Sequence, residues 1–197
     1  MEPAGREEPP GQGAGQGTGQ GESPAADQAG TILVLGGVRS GKSRHAEALV
    51  TAGPPPWRYI ATGRAWDDEM RRRIARHRAD RIAGWQTVEE PLALPAALDD
   101  AGTLPVLVDC LTLWLTNLLL EDRDIPAATD ALLRTLRRRP APTVLVGNEV
   151  GLGIVPETPL GRRFRDEAGW LHQAIARQAG HVVLMVAGLP LTVKDRQ

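Results

Sequence analysis

Eight consecutive residues carry the clearest chemistry in the chain: Gly36-Gly37-Val38-Arg39-Ser40-Gly41-Lys42-Ser43 fits the pattern G-x-x-x-x-G-K-[ST]. Glycines let such a loop curl until successive backbone N–H groups point inward, and the helix that follows offers its free amides and positive dipole end to an anion. Lys42 adds a point charge for β and γ phosphates, and the Ser43 hydroxyl supplies a ligand for Mg²⁺. The expected ligand is therefore a nucleoside triphosphate, GTP or ATP. Phosphate chemistry of this kind needs an acidic residue at the end of a neighbouring strand, and Asp109, closing Leu107-Val108-Asp109, is assigned to Mg²⁺ or nucleotide binding. Capping the helix that begins near Leu111 is the alternative use of the same carboxylate, and both uses can coexist.

A second reactive group stands in residues 67–80. Three acids, Asp67, Asp68 and Glu69, open this segment, and Met70, Ile74 and His77 recur at i, i+4 and i+7. His77 thus shares a helix face with apolar residues, where simple packing would account for it. Its neighbours suggest more: Arg73 lies one turn before it, and Arg76 and Arg78 flank it. Guanidinium groups there can hold a polyphosphate while a neutral imidazole attacks an α-phosphorus. A solvated basic face is the other reading of those arginines.

The elements that must position these groups alternate. Apolar or β-branched runs at 31–35, 57–61, 104–109, 143–146 and 181–187 are read as strands, with a weaker edge strand at 85–88. Helical spacing or composition marks 43–50, 67–80, 111–121, 126–138 and 159–179. The strand runs are apolar on both parities, as strands covered on both faces are, so the expected fold is α/β: a P-loop NTPase of RecA-like type, its mostly parallel sheet flanked by helices. Ala61, Thr62 and Gly63 then end a strand on the side where such sheets place ligands. Asn148 and Glu149 also follow a strand, and either contact with substrate or metal or turn formation by the Gly-rich run explains them.

Composition bounds the rest. With 23 basic and 24 acidic residues and a net charge of −1, the chain lacks the basic balance of a protein that grips nucleic acid. A motor tracking a strand would also want stacking aromatics, and only five Trp, one Tyr and one Phe are present. Cys110 is the single cysteine, so no intrachain disulfide forms and a reducing cytoplasm is the simple expectation. Residues 1–30 are Gly, Gln, Pro, Glu and Ala with little to bury, which predicts a disordered extension ahead of one domain at 31–197. That stretch has no secretory pattern, and no apolar run suits membrane insertion.

Taken together, the motifs resemble one family: the bifunctional adenosylcobinamide kinase / adenosylcobinamide-phosphate guanylyltransferases of cobalamin biosynthesis. The similarity runs from Ile32 to about Lys194. Beyond the phosphate loop and the Arg44-His45-Ala46-Glu47 that follows it, the family's pieces appear as Tyr59-Ile60-Ala61-Thr62, Asp67-Asp68-Glu69-Met70, Arg76-His77-Arg78, Thr87-Val88-Glu89-Glu90-Pro91, Asp109-Cys110-Leu111-Thr112, Asn148-Glu149-Val150-Gly151-Leu152-Gly153-Ile154-Val155-Pro156 and Phe164-Arg165-Asp166. The resemblance implies two reactions. ATP or GTP would phosphorylate the aminopropanol hydroxyl of adenosylcobinamide, and GMP would then pass from GTP to that phosphate. It implies that His77 carries the guanylyl group, and that Ala61, Thr62, Gly63, Arg78, Ala79, Asp80, Arg81, Glu89 and Asp109 belong to the guanine nucleotide site. A solvated acidic pair is the plain alternative for Glu89 and Glu90. It also implies a homo-oligomer, a trimer, acting on a small-molecule corrinoid.

The chain departs from the family's usual residues at Val38, at Ile82 and at His172, where Ala, Pro and Asn respectively are usual. His172 is read as a helix-surface residue, not a second nucleophile. Two rivals use the same phosphate loop. One is a kinase in which His77 never becomes guanylylated; the other is a nucleotide-dependent switch, which would gain from an Asn-Lys-x-Asp motif that the chain lacks.

Overall fold

The computed structural model describes residues 30–64, 81–195 and Arg72. Its strands are β1 (Thr31–Gly36), β2 (Trp57–Ala61), β3 (Trp85–Glu89), β4 (Val106–Asp109), β5 (Thr143–Asn148), β6 (His181–Val186) and β7 (Leu189–Asp195). The described helices are α1 (Lys42–Thr51), α2 (Leu94–Asp100), α3 (Leu111–Leu120), α4 (Ile125–Arg138) and α5 (Pro159–Gln178). One sheet holds all seven strands in the order β3-β2-β4-β5-β1-β6-β7. Every pairing is parallel except that of β6 with β7.

Both faces of the central strands are apolar because both are covered. Val34, Tyr59, Leu107, Val144 and Val146 lie with Ala46 and Val50 of α1 in one buried cluster. Leu33, Ile60, Val106, Val108 and Leu145 lie with residues of α2, α3, α4 and α5 in the other. Such two-sided burial is what parallel strands require, and it is why these runs do not alternate. Helix starts are fixed locally. The Asp124 carboxylate accepts from Ala127 N at the head of α4, and the Thr158 hydroxyl accepts from Gly161 N at the head of α5, with Pro126 and Pro159 in the first helical positions.

Two elements go beyond the sequence expectation. The sequence hides α2 because Pro91 and Pro95 read as loop punctuation, whereas Pro95 occupies the first turn of the helix, where no amide is needed. It hides β7 because Pro190 demotes a strand, yet β7 is an edge strand, where proline is tolerated. The two residues between β6 and β7, Ala187 and Gly188, both have positive φ (52° and 83°), the signature of a tight hairpin turn. The predicted 57–61 strand is reproduced, the weaker 85–88 strand is indeed at an edge, and the strand read as 104–109 begins at Val106. The 1–30 extension, apart from Gly30, and the helix expected at 67–80, apart from Arg72, fall outside the described residues.

One buried cation knits one end of the sheet together. Arg139 donates to the carbonyl of Leu98, to that of Leu104 (2.7 Å) and to Thr143 Oγ1 (2.8 Å). Leu98 is among the last residues of α2, whose carbonyls have no helical partner, so Arg139 closes that helix as well as joining it to β5. Arg139→Ala leaves these acceptors buried and unpaired, and is expected to cost about 2–4 kcal/mol in urea-induced unfolding. An unchanged unfolding midpoint would refute this role.

Candidate nucleotide site

The parallel strands end along one edge of the sheet. Register places Ala61 beside both Glu89 and Asp109, and Gly36 beside both Asn148 and Met185. Strand parity sends Tyr59, Asp109 and Asn148 to the face that α1 covers.

The loop between β1 and α1 is built around close approaches. A Cβ on Gly36 would sit 2.5 Å from Ser40 Oγ and 2.9 Å from the Met185 carbonyl oxygen, so no side chain fits there. Gly41, the N-cap of α1, has φ 93°. The loop is pinned by Ser40 N donating to Gly37 O (3.3 Å) and Gly188 N donating to Ser40 O (3.0 Å). Lys42 is buried beneath it, with Nζ donating to Gly37 O (3.1 Å). Gly37, Val38 and Arg39 are exposed at the rim. Neither a side-chain cap nor an acidic first turn occupies the head of α1, and the buried Ser40 hydroxyl has no hydrogen-bond partner among the described residues. An open helix head, an orphaned hydroxyl and an ammonium beneath the loop make a cradle suited to a polyphosphate.

Asp109 is held from the neighbouring strand. The Tyr59 hydroxyl donates to its Oδ2 at 3.0 Å. Burial first, and then the Asp109 charge, push the Tyr59 phenol well above its usual range, so it stays a donor. Arg81 lies over the Tyr59 ring, its guanidinium carbon 3.2 Å from the ring centroid, and Trp85 meets the ring edge-on at 5.8 Å. Arg81 also donates to Thr87 Oγ1 (3.2 Å) and lies 3.9 Å from Glu47 of α1. Its side chain is thereby engaged in tying α1, β2 and β3 together. The capping alternative for Asp109 does not hold: Cys110 is the N-cap of α3, without a side-chain cap bond.

Thr62 supports the edge from behind. It is wholly buried, its hydroxyl donates to Cys110 O (2.6 Å) and accepts from Cys110 N (2.9 Å), and its carbonyl accepts from Asn117 Nδ2 (2.8 Å). Its amide donates to Asp109 O at 3.2 Å, so every polar atom of Thr62 is spent within the protein. Gly63 lies close against α3, where a Cβ would come within 3.1 Å of Leu113 Cδ1, and the Ala61 carbonyl accepts from Glu90 N (2.9 Å). Glu89 is exposed at the end of β3, and it is engaged in an interaction. Glu90 is not a solvated partner to it: its carboxylate accepts the amides of Leu92 and Ala93 ahead of α2.

Asn148 donates to Thr112 Oγ1 (2.7 Å), which joins the end of β5 to the head of α3 just beyond β4. Glu149 forms a turn, its carboxylate accepting from Gly151 N (2.8 Å) and Leu152 N (3.0 Å). Burial and the adjacent Asp109 raise the Cys110 thiol, so it stays protonated between these strand ends and offers no nucleophile. His172 corrects the surface reading. Its Nε2 is buried without a partner among the described residues, and a Cβ on Gly147 would approach that atom to 2.6 Å. Burial pushes its pKa down to about 4, so it is neutral packing. His77, Arg78, Ala79 and Asp80 lie outside the described residues.

The fold and the loop define a P-loop nucleotide-binding protein. Solved structures of similar fold include an ATPase domain (TM-score 0.50, 10% identity, 86% of this chain and 78% of that one) and a Pyrococcus horikoshii OT3 protein (0.53, 8%, 86% and 88%). A type III secretion system ATPase is alike at TM-score 0.54 and 11% identity, over 85% of this chain and 57% of that one. At such identities the likeness concerns the fold alone. The chain belongs to the cobinamide kinase / cobinamide phosphate guanyltransferase family, whose model matches residues 32–193. It is 55% identical over 167 residues to the bifunctional adenosylcobalamin biosynthesis protein CobP of Pseudomonas aeruginosa, covering 82% of this chain and 96% of that protein. It is 43% identical over 180 residues to the corresponding CobU of Escherichia coli K12, covering 83% and 99%. Membership makes the chain a kinase and nucleotidyltransferase of cobalamin biosynthesis. No helix among the described residues is long and apolar enough to cross a membrane.

Proposed function

We propose that the chain phosphorylates adenosylcobinamide with ATP or GTP and then moves GMP from GTP to adenosylcobinamide phosphate by way of His77. The cradle formed by Gly36 to Ser43, at the same edge of the sheet as the carboxylate of Asp109, carries this reading. Lys42 and the loop amides hold the β and γ phosphates, so the γ-phosphorus stands open to the acceptor hydroxyl at the sheet edge. In the second reaction a neutral imidazole nitrogen of His77 attacks the α-phosphorus of GTP, a P–N bond forms, and the bond to pyrophosphate breaks. An oxygen of the cobinamide phosphate then attacks the same phosphorus and breaks the P–N bond, releasing the imidazole and leaving adenosylcobinamide-GDP.

The Ser43 hydroxyl and the Asp109 carboxylate are hard oxygen donors of the kind Mg²⁺ takes, and so few protein ligands suit an ion that keeps waters and phosphates around it. Bound there, it would neutralise phosphate charge. Tyr59 fixes the carboxylate on which this depends. Tyr59→Phe is expected to weaken Mn²⁺ binding to the protein–nucleotide complex about tenfold, the worth of one hydrogen bond to a charged group, as read by the paramagnetic signal of free Mn²⁺. Unaltered affinity would contradict this positioning role.

Ala61, Gly63, Glu89 and residues 78–81 are proposed to surround the guanine nucleotide, with Thr62 backing them. A homo-oligomer, a trimer by resemblance, and a cytoplasmic location complete the reading, the first checked by light scattering. The direct test is incubation with Mg²⁺ and α-labelled GTP, without corrinoid. Acid-labile label mapping to the His77 peptide is expected; a GTP-binding protein that takes up none would leave only the kinase.

A further inference from the structure

The acceptor has to be gripped as well as the nucleotide, and an exposed apolar stretch follows the point where the chain bonds to the phosphate loop. Residues 149–158 connect β5 to α5. Glu149 N donates to Gly36 O at 3.0 Å, so this connection starts against the phosphate loop. It is held at both ends. The Glu149 carboxylate closes the first turn, and Arg162 donates to the carbonyls of Pro156 (3.0 Å) and Glu157 (2.6 Å) at the other end. Between these ties the side chains face solvent: Leu152 is 85% exposed, Ile154 97% and Val155 57%, and Val38 at the tip of the phosphate loop is 79% exposed. Burying each such side chain against a ligand would remove apolar area from water at a gain that grows with area.

Gly153 adds a second observation. A Cβ there would meet nothing within 4 Å, and its φ is not positive, so neither packing nor conformation calls for glycine. A bare backbone between two exposed apolar side chains leaves room for a ligand to approach and pair with the peptide groups.

We propose that Leu152, Ile154 and Val155, with Val38, form the seat for the corrin ring of the acceptor, a broad macrocycle with apolar faces and a fringe of amides that the exposed backbone at Gly153 can meet. This rests on the kinase reading above and adds where its second substrate sits. Glu149 N donates to Gly36 O where this connection starts, so the seat is tied to the loop at which the nucleotide is proposed to bind. Occupation by a second copy of the chain is the competing use of the same surface.

The test is the double variant Leu152→Gln/Ile154→Gln, with Leu191→Gln on the exposed edge strand β7 as control. The expected result is a KM for adenosylcobinamide raised at least tenfold, an unchanged KM for GTP, unchanged labelling of the protein by α-labelled GTP in the absence of corrinoid, and a control that behaves as wild type. A KM for adenosylcobinamide within twofold of wild type overturns the seat while leaving the kinase reading intact. A change of molecular mass in solution in the double variant also overturns it, because the surface then joins copies of the chain. Wild-type protein that phosphorylates no cobinamide defeats the kinase reading instead, and the seat with it.

Discussion

Lys42→Ala is expected to abolish measurable phosphorylation of cobinamide, lowering kcat/KM about a thousandfold, while leaving a folded protein. The ammonium lies beneath the loop, bonded to the Gly37 carbonyl; in the proposed reaction its part is to meet the charge that builds on the transferring phosphoryl group. A preorganised charge in such a site is worth about 3–4 kcal/mol of transition-state stabilisation, and no water that enters in its place is equally oriented. Alanine suits the first turn of α1, so the unfolding midpoint should move little. Lys42→Arg separates charge from shape. Its planar fork does not fit a space shaped by a single ammonium, and its activity should stay within about tenfold of the alanine variant. Initial rates at varied ATP and GTP check both, and a Lys42→Ala enzyme with about a tenth of wild-type activity would remove the loop from the chemistry.

His77→Ala should separate the two reactions. Loss of a covalent nucleophile typically costs about four orders of magnitude or more, so transfer of GMP to cobinamide phosphate should vanish along with label on the protein. Phosphorylation needs positioning and charge but no histidine, so its rate should stay within about threefold. Separate assays on adenosylcobinamide and on its phosphate read the split. Equal loss of both would give His77 a place in holding the nucleotide, and retention of both would return it to packing.

The parts of the site written in one stretch of chain are legible without coordinates. Gly36 to Ser43 is a local motif whose chemistry follows from its order, and Asp109 closes a short strand whose other residues are apolar. What cannot be read depends on register. Tyr59 meets Asp109 across 50 residues of sequence only because β2 and β4 pair with Tyr59 beside Leu107. Asn148 reaches Thr112 only because β5 lies next to β4. Resemblance places Arg81 at the nucleotide, but its buried ties to Tyr59, Thr87 and Glu47 arise from three elements that share no local pattern. The surface reading of His172 fails for a related reason. It borders the buried Ala168, Leu171 and Ile175 stripe of α5, and the missing side chain at Gly147 on another element makes the room that draws it inward.

Those ties make Arg81 a rivet, not a reaching arm. Its guanidinium stands over the Tyr59 ring, bonds Thr87 and faces Glu47, so swinging it toward a ligand means loosening α1, β2 and β3 together. Tyr59 in turn holds Asp109, so any loosening of the rivet is passed to that carboxylate through a single hydroxyl.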